Sequence, residues 1–139
     1  MASVVFAMLL YLILDVFVHG YVLGWDVASI HTTLYGNVET FEEPILIDSL
    51  LLQVHIDLFM GIFSLLILTA IWIRFCVEKQ VLTWVLHAVL LSALLAPICL
   101  ILAYLSSAFF LYAWLATYCL WHALALFIIV MIFRKFRSP

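Results

Sequence analysis

From Val81 to Phe133 the chain runs for 53 residues without one Asp, Glu, Lys or Arg. A water-soluble surface cannot be built from such a run, because a soluble domain carries about a quarter of its residues as charges. A bilayer core about 30 Å thick takes roughly 20 apolar helical residues per crossing. The run is too long for one crossing and fits two joined by a tight hairpin. Ser106-Ser107 is the best turn, flanked by Tyr104, Phe109, Phe110 and Tyr112 as interfacial aromatics. Pro97, inside the third span, predicts a kink there.

The rest of the 139 residues continues in the same vein, with 70% hydrophobic and 9% charged residues overall. Charge this sparse excludes a disordered chain and a nucleic-acid-binding one. Residues 2–24 form a first span whose groups able to carry charge near neutrality are Asp15 and His19. A polar loop follows at 25–44, with Gly36-Asn37 as a turn signal and Glu39, Glu42 and Glu43 near its end. Pro44 suits the first turn of the next helix, where its missing N–H is no loss. The remaining spans are expected at 45–76, 81–105 and 108–133. The expected fold is all-α: one polytopic membrane domain, a four-transmembrane-helix bundle. Barrel strands would need shorter, alternating segments. The N-terminal run lacks the basic start and small-residue cleavage pattern of a leader and is expected to be retained.

Charge placement sets an expected orientation. The five bases, Arg74, Lys79, Arg134, Lys135 and Arg137, all lie at the second-to-third connection or near the C-terminus. Seven of the eight acids lie before residue 74. The positive-inside rule then puts both termini in the cytoplasm and loop 25–44 outside, in a plasma or bacterial inner membrane. The acidic loop reads as solvated, with some power to gather cations or a basic partner.

Ionisable side chains within a bilayer are costly and normally face protein or water. Tyr11, Asp15 and His19 follow at four-residue steps on one face of the first span. In the second span Asp57 lines up with Gln53, Gly61 and Ser64, the best interior face, while His55 stands about 160° away from Asp57. Only one of His55 and Asp57 can point inward. Helical rise brings Asp15, His19, Asp57 and either His55 or Glu43 to a similar level in the outer half. Imidazole with carboxylate suits zinc, copper, iron or manganese. The same groups can relay protons, or form a structural polar network that satisfies itself. The candidate metal ligands are Asp15, His19, Glu43, His55 and Asp57.

His87 and His122 form a deeper pair in the third and fourth spans. Two histidines from two helices can hold a b-type haem, with Arg74, Lys79 or Arg134 for its propionates. An outer haem would find no cation. The plainer reading gives each histidine a hydrogen bond to a near neighbour, Tyr118 being four residues from His122. Ala88, Ser92, Ala96, Cys99 and Ala103, facing Ala113, Ala116 and Ala123, make small-residue seams for close approach. Trp114, Tyr118 and Trp121 form a stripe that packs, or that stacks on a quinone or haem. Cys76, Cys99 and Cys119 read as small core residues.

Three classes of function fit. One is a small membrane subunit or anchor carrying the His/Asp cluster, with a lipid bilayer, other membrane subunits or a second copy as partners and no nucleic acid. The second is a haem-binding redox or quinone subunit using His87 and His122. The third is an oligomeric proton-coupled transporter centred on Asp15. A lone acid in the first of four short spans is similar to the small multidrug transporters. Those carry Glu, a shorter outer loop and other motifs unmatched here, and their function is not carried over. No catalytic motif is found, so an enzyme is not expected.

Overall fold

A computed structural model describes residues 2–75 and 79–137, all helical apart from short connections. Helices α1 (Ala2–Val22), α3 (Ile47–Phe75), α4 (Lys79–Leu105) and α5 (Phe109–Arg137) are each long and apolar enough to span a membrane. They form an all-α up-and-down bundle with no sheet among the described residues. The expected turn at Ser106-Ser107 joins α4 to α5, and this hairpin makes the most extensive contact between any two helices. The second-to-third connection and Cys76 lie outside the described residues. Arg74, Arg134 and Lys135 are exposed at one end of the bundle.

The opposite end carries a helix absent from the sequence expectation, α2 (Val27–Tyr35). Its start is fixed by Asp26, whose carboxylate accepts from the Ser29 backbone N–H at 2.9 Å while the Asp26 N–H donates to Ser29 Oγ at 3.2 Å. This reciprocal cap satisfies donors that a helix start leaves open. Ile30 and Leu34 bury one face of α2 beside Ala96, Leu100 and Ala103 of α4. Two tyrosines tie the layer down: Tyr35 donates to the Ala103 carbonyl at 2.6 Å, and Tyr104 to the Ile45 carbonyl at 3.2 Å. Gly36 ends α2 with φ at 77°, a backbone state that side chains disfavour. A short Asn37–Glu42 bridge then turns the chain toward α3.

Three expectations need correction here. Pro44 is not in the first turn of α3, which begins at Ile47; it sits in the irregular connection before that helix. Cys119 is exposed rather than a core residue, and Cys99 is half-buried. Along α5 the buried seam is Trp114, Trp121, Ala125 and Ile128, with Ala116 and Ala123 facing outward. Large rings fill where alanines were expected.

Candidate metal centre

The centre is built from three helices. On α1 the four-residue spacing of Tyr11, Asp15 and His19 does put them on one face, turned to α3 and α5. His19 is buried, and its Nδ1 donates to the Asp15 carbonyl at 2.9 Å. A carbonyl can only accept, so in the neutral ring Nδ1 holds the proton and Nε2 presents a bare lone pair. That Nε2 lies 3.0 Å from Oδ2 of Asp57. Lone pair faces lone pair. Such a contact repels unless a proton or a cation lies in the gap.

The two carboxylates are held by neutral donors. Gln53, one turn before Asp57 and buried, donates from Nε2 to Asp57 Oδ1 at 2.8 Å, which leaves Oδ2 turned to His19. Tyr118 of α5 donates to Asp15 Oδ2 at 3.0 Å, and the Tyr11 hydroxyl stands 3.5 Å from Oδ1. His122, one turn beyond Tyr118, lies with Nε2 3.1 Å from Asp15 Oδ2. That approach has the distance but not the direction of a hydrogen bond, so the buried Nε2 has no hydrogen-bond partner. Tyr118 packs against both imidazoles, with ring centroids 4.7 Å from His19 and 4.3 Å from His122.

One ligand atom each from Asp15, His19 and Asp57 lies within 4.8 Å of the others. Metal bonds of about 2.0–2.2 Å put adjacent ligand atoms roughly 3.0–3.5 Å apart in octahedral or tetrahedral sites. The 3.0 Å contact between His19 and Asp57 is such an edge. Asp15, His19 and Asp57 line a partly open cavity of about 20 Å³ together with Gly61, Ala93, Ala96, Pro97, Trp114 and Trp121. This is room for one water-sized occupant. Gly61 lines it, and a Cβ there would meet nothing within 4 Å. Pro97 has no N–H, so the Ala93 carbonyl four residues earlier lacks its usual helical donor at the cavity wall.

Of the residues singled out from sequence, Asp15, His19 and Asp57 come together. Glu43 and His55 do not; both are exposed, and Asp57 takes the interior face that His55 would have competed for. The expected haem pair does not form either. His87 is exposed and bonds its own helix, Nδ1 to the Thr83 carbonyl at 2.7 Å, roughly 9 Å of helical rise from Ala93 at the cavity. His122 belongs instead beside Asp15. Measured from the helix ends opposite α2, Asp15 and His122 lie at roughly 20 and 22 Å, nearly level. The fourth span, α5, runs to Arg137, four residues past its expected end at 133, which adds about one turn to the distance of His122 from that end.

No family model, curated protein or solved structure matches this chain. The site therefore stands on its own geometry. The protein is a membrane-spanning helical bundle with a buried His/Asp cluster capable of coordinating a metal ion.

Proposed function

We propose that the cluster binds one divalent first-row metal ion within the membrane, and that the role of this protein is binding rather than catalysis. The observation that carries the reading is the convergence of Asp15, His19 and Asp57 within 4.8 Å beside a cavity sized for a single small occupant. Two carboxylates and a neutral imidazole carry two negative charges, and a divalent ion cancels them. Neutrality matters in a low-dielectric interior, where an unbalanced charge is expensive. Among the described residues no thiolate joins the cluster, so the donor set favours zinc, iron(II) or manganese over thiol-seeking copper(I).

The orientation that accompanies this reading follows the charge map. With Arg74, Lys79, Arg134, Lys135 and Arg137 in the cytoplasm, α2 and the five acids between Asp26 and Asp48 face outward. They would concentrate cations on the side from which His19 and Asp57 are nearest. The protein then acts as a small membrane subunit that holds a metal ion beneath an acidic rim.

Purified in mild detergent and loaded with zinc, iron(II) or manganese, the protein should hold close to one ion per chain by elemental analysis. Failure to retain any of the three ends the reading. A Soret band in the same sample would replace it with haem. A second reading draws on the unbroken run of close contacts His122–Asp15–His19–Asp57, which suits proton exchange. Metal-free protein that carries protons in liposomes, and loses this with Asp15→Asn, would favour it.

A further inference from the structure

Four features of α5 point back at the cluster. His122 is 93% buried, with 7% of its surface exposed. Its Nδ1 donates to the Tyr118 carbonyl at 3.0 Å, so the neutral ring must present a lone pair at Nε2. That Nε2 is buried and has no hydrogen-bond partner. It nevertheless lies 3.1 Å from Asp15 Oδ2, an oxygen that also approaches His19 Nδ1 at 3.6 Å. A buried acceptor left unmatched costs the full desolvation of the atom. One that also faces an anion at 3.1 Å is worse placed still.

We infer that His122 is a fourth protein ligand of the same ion, so that α1, α3 and α5 all bind it. The inference rests on the metal reading above and extends it. A cation between Nε2 and Oδ2 turns a repulsive contact into the edge of a coordination polyhedron, as it does for His19 and Asp57. The ring is already oriented for this. Tyr118 and Trp121 flank it with centroids at 4.3 and 4.6 Å, and the Nδ1 bond to a backbone carbonyl is the usual way that a metal-binding histidine is aimed. Tyr118 thus serves twice, fixing His122 through its carbonyl and Asp15 through its hydroxyl. Asp15, His19 and Asp57 already lie within 4.8 Å of one another, and His122 joins them through its 3.1 Å edge with Asp15, so a side-chain adjustment toward the ion completes the set. Two imidazole nitrogens and two carboxylate oxygens suit zinc, or iron(II) or manganese completed by water.

The test counts imidazoles. Detergent-purified wild-type protein is loaded with zinc, and X-ray absorption at the zinc edge is read for histidine scattering. Two imidazoles per ion are expected. His122→Gln should leave one, with the ion still bound but at least about tenfold more weakly. His87→Ala should leave both. A single imidazole in the wild type, or two that persist in His122→Gln, overturns the assignment of His122 and leaves the metal reading intact. Wild-type protein that takes up no zinc, iron(II) or manganese ends both together. If His122→Gln fails to fold, the wild-type count with His87→Ala still decides.

Discussion

The interior of the bundle has two regions built on opposite principles. Toward the end bearing Arg74 and Arg134 it is apolar, packed from Leu65, Leu68, Ile71, Val89, Ile128 and Ile132. Between that region and the apolar cluster beneath α2, which includes Leu50, Leu100 and Leu111, it holds His19, Gln53, Asp57 and His122, each tied to a named atom across or along a helix. In lipid the apolar region has little power to discriminate, because acyl chains are as apolar as leucine and only close packing favours one arrangement. The polar region discriminates strongly, since a buried polar atom in the wrong place finds no partner. Helix α1 makes the contrast plain. Its buried residues are Val5, Leu12, His19 and Gly20, so much of its hold on the bundle comes from the bonds of Asp15 and His19. Packing brings the helices together, and the polar cluster sets the register of α1.

The sharpest way to break this division is to injure each region separately. Asp57→Asn keeps the shape of the side chain and removes a charged ligand. Metal affinity should fall by more than the 10–100-fold typical of lost outer partners, while the helical content stays. Leu68→Ala removes a fully buried side chain from the apolar region. It should cost about 1–3 kcal/mol of stability, below much of the range for aqueous cores because lipid also solvates leucine in the separated state. Its metal affinity should match wild type. Isothermal titration and denaturation in one detergent measure both. If Leu68→Ala weakens binding as much as Asp57→Asn does, the two regions are one unit.

A middle-sized effect is expected from the neutral donors. Gln53→Ala and Tyr118→Phe each free a carboxylate that the ion needs held still. Affinity should drop about 10–100-fold with the stoichiometry unchanged at one ion per chain. Lost stoichiometry would mean that these residues build the site rather than aim it. Unaltered affinity would mean that the carboxylates are fixed by packing alone.

The two regions also differ in how well the sequence reveals them. Span number and approximate limits were legible because hydrophobic length is a property of each segment alone. The interior face of α3 was legible too, since Gln53, Asp57, Gly61 and Ser64 share one stripe. Which of His55 and Asp57 faced inward could not be read, because angle alone does not say which side meets α1. His122 reads with His87 because both lie deeper than the outer group along their own helices, and nothing in the fourth segment alone says that it turns to Asp15 of α1. The Tyr118–His122 step does repeat the Tyr11–Asp15 step, and matching the two pairs would have hinted at their meeting. Helix α2 went unread although Asp26 and Ser29 stand at capping distance, because its nine residues are too few for periodicity to speak. For His55, Asp57 and His122 the missing information was contact between helices.

The smallest expected effect lies outside both regions and tests whether they are insulated from the rim. Hydrogen bonds from the Ser29 backbone N–H and hydroxyl hold the Asp26 carboxyl below its ordinary value of 3.8. A carboxyl lowered on folding contributes above that ordinary value and loses its contribution as pH falls through the lowered one. The cap of α2 should therefore loosen only below pH 3.8, seen as faster amide exchange at Ile30 and its neighbours. Asp26→Ala should give the fast exchange at every pH. Metal release on acidification has another origin, protons competing for the ligands, and should begin where His19 and its partners take them up. Its midpoint should not move in Asp26→Ala, because α2 stays docked through Ile30, Leu34 and the Tyr35–Ala103 bond. A shift in that midpoint would join the rim to the cluster, and α2 would then be part of what closes the site.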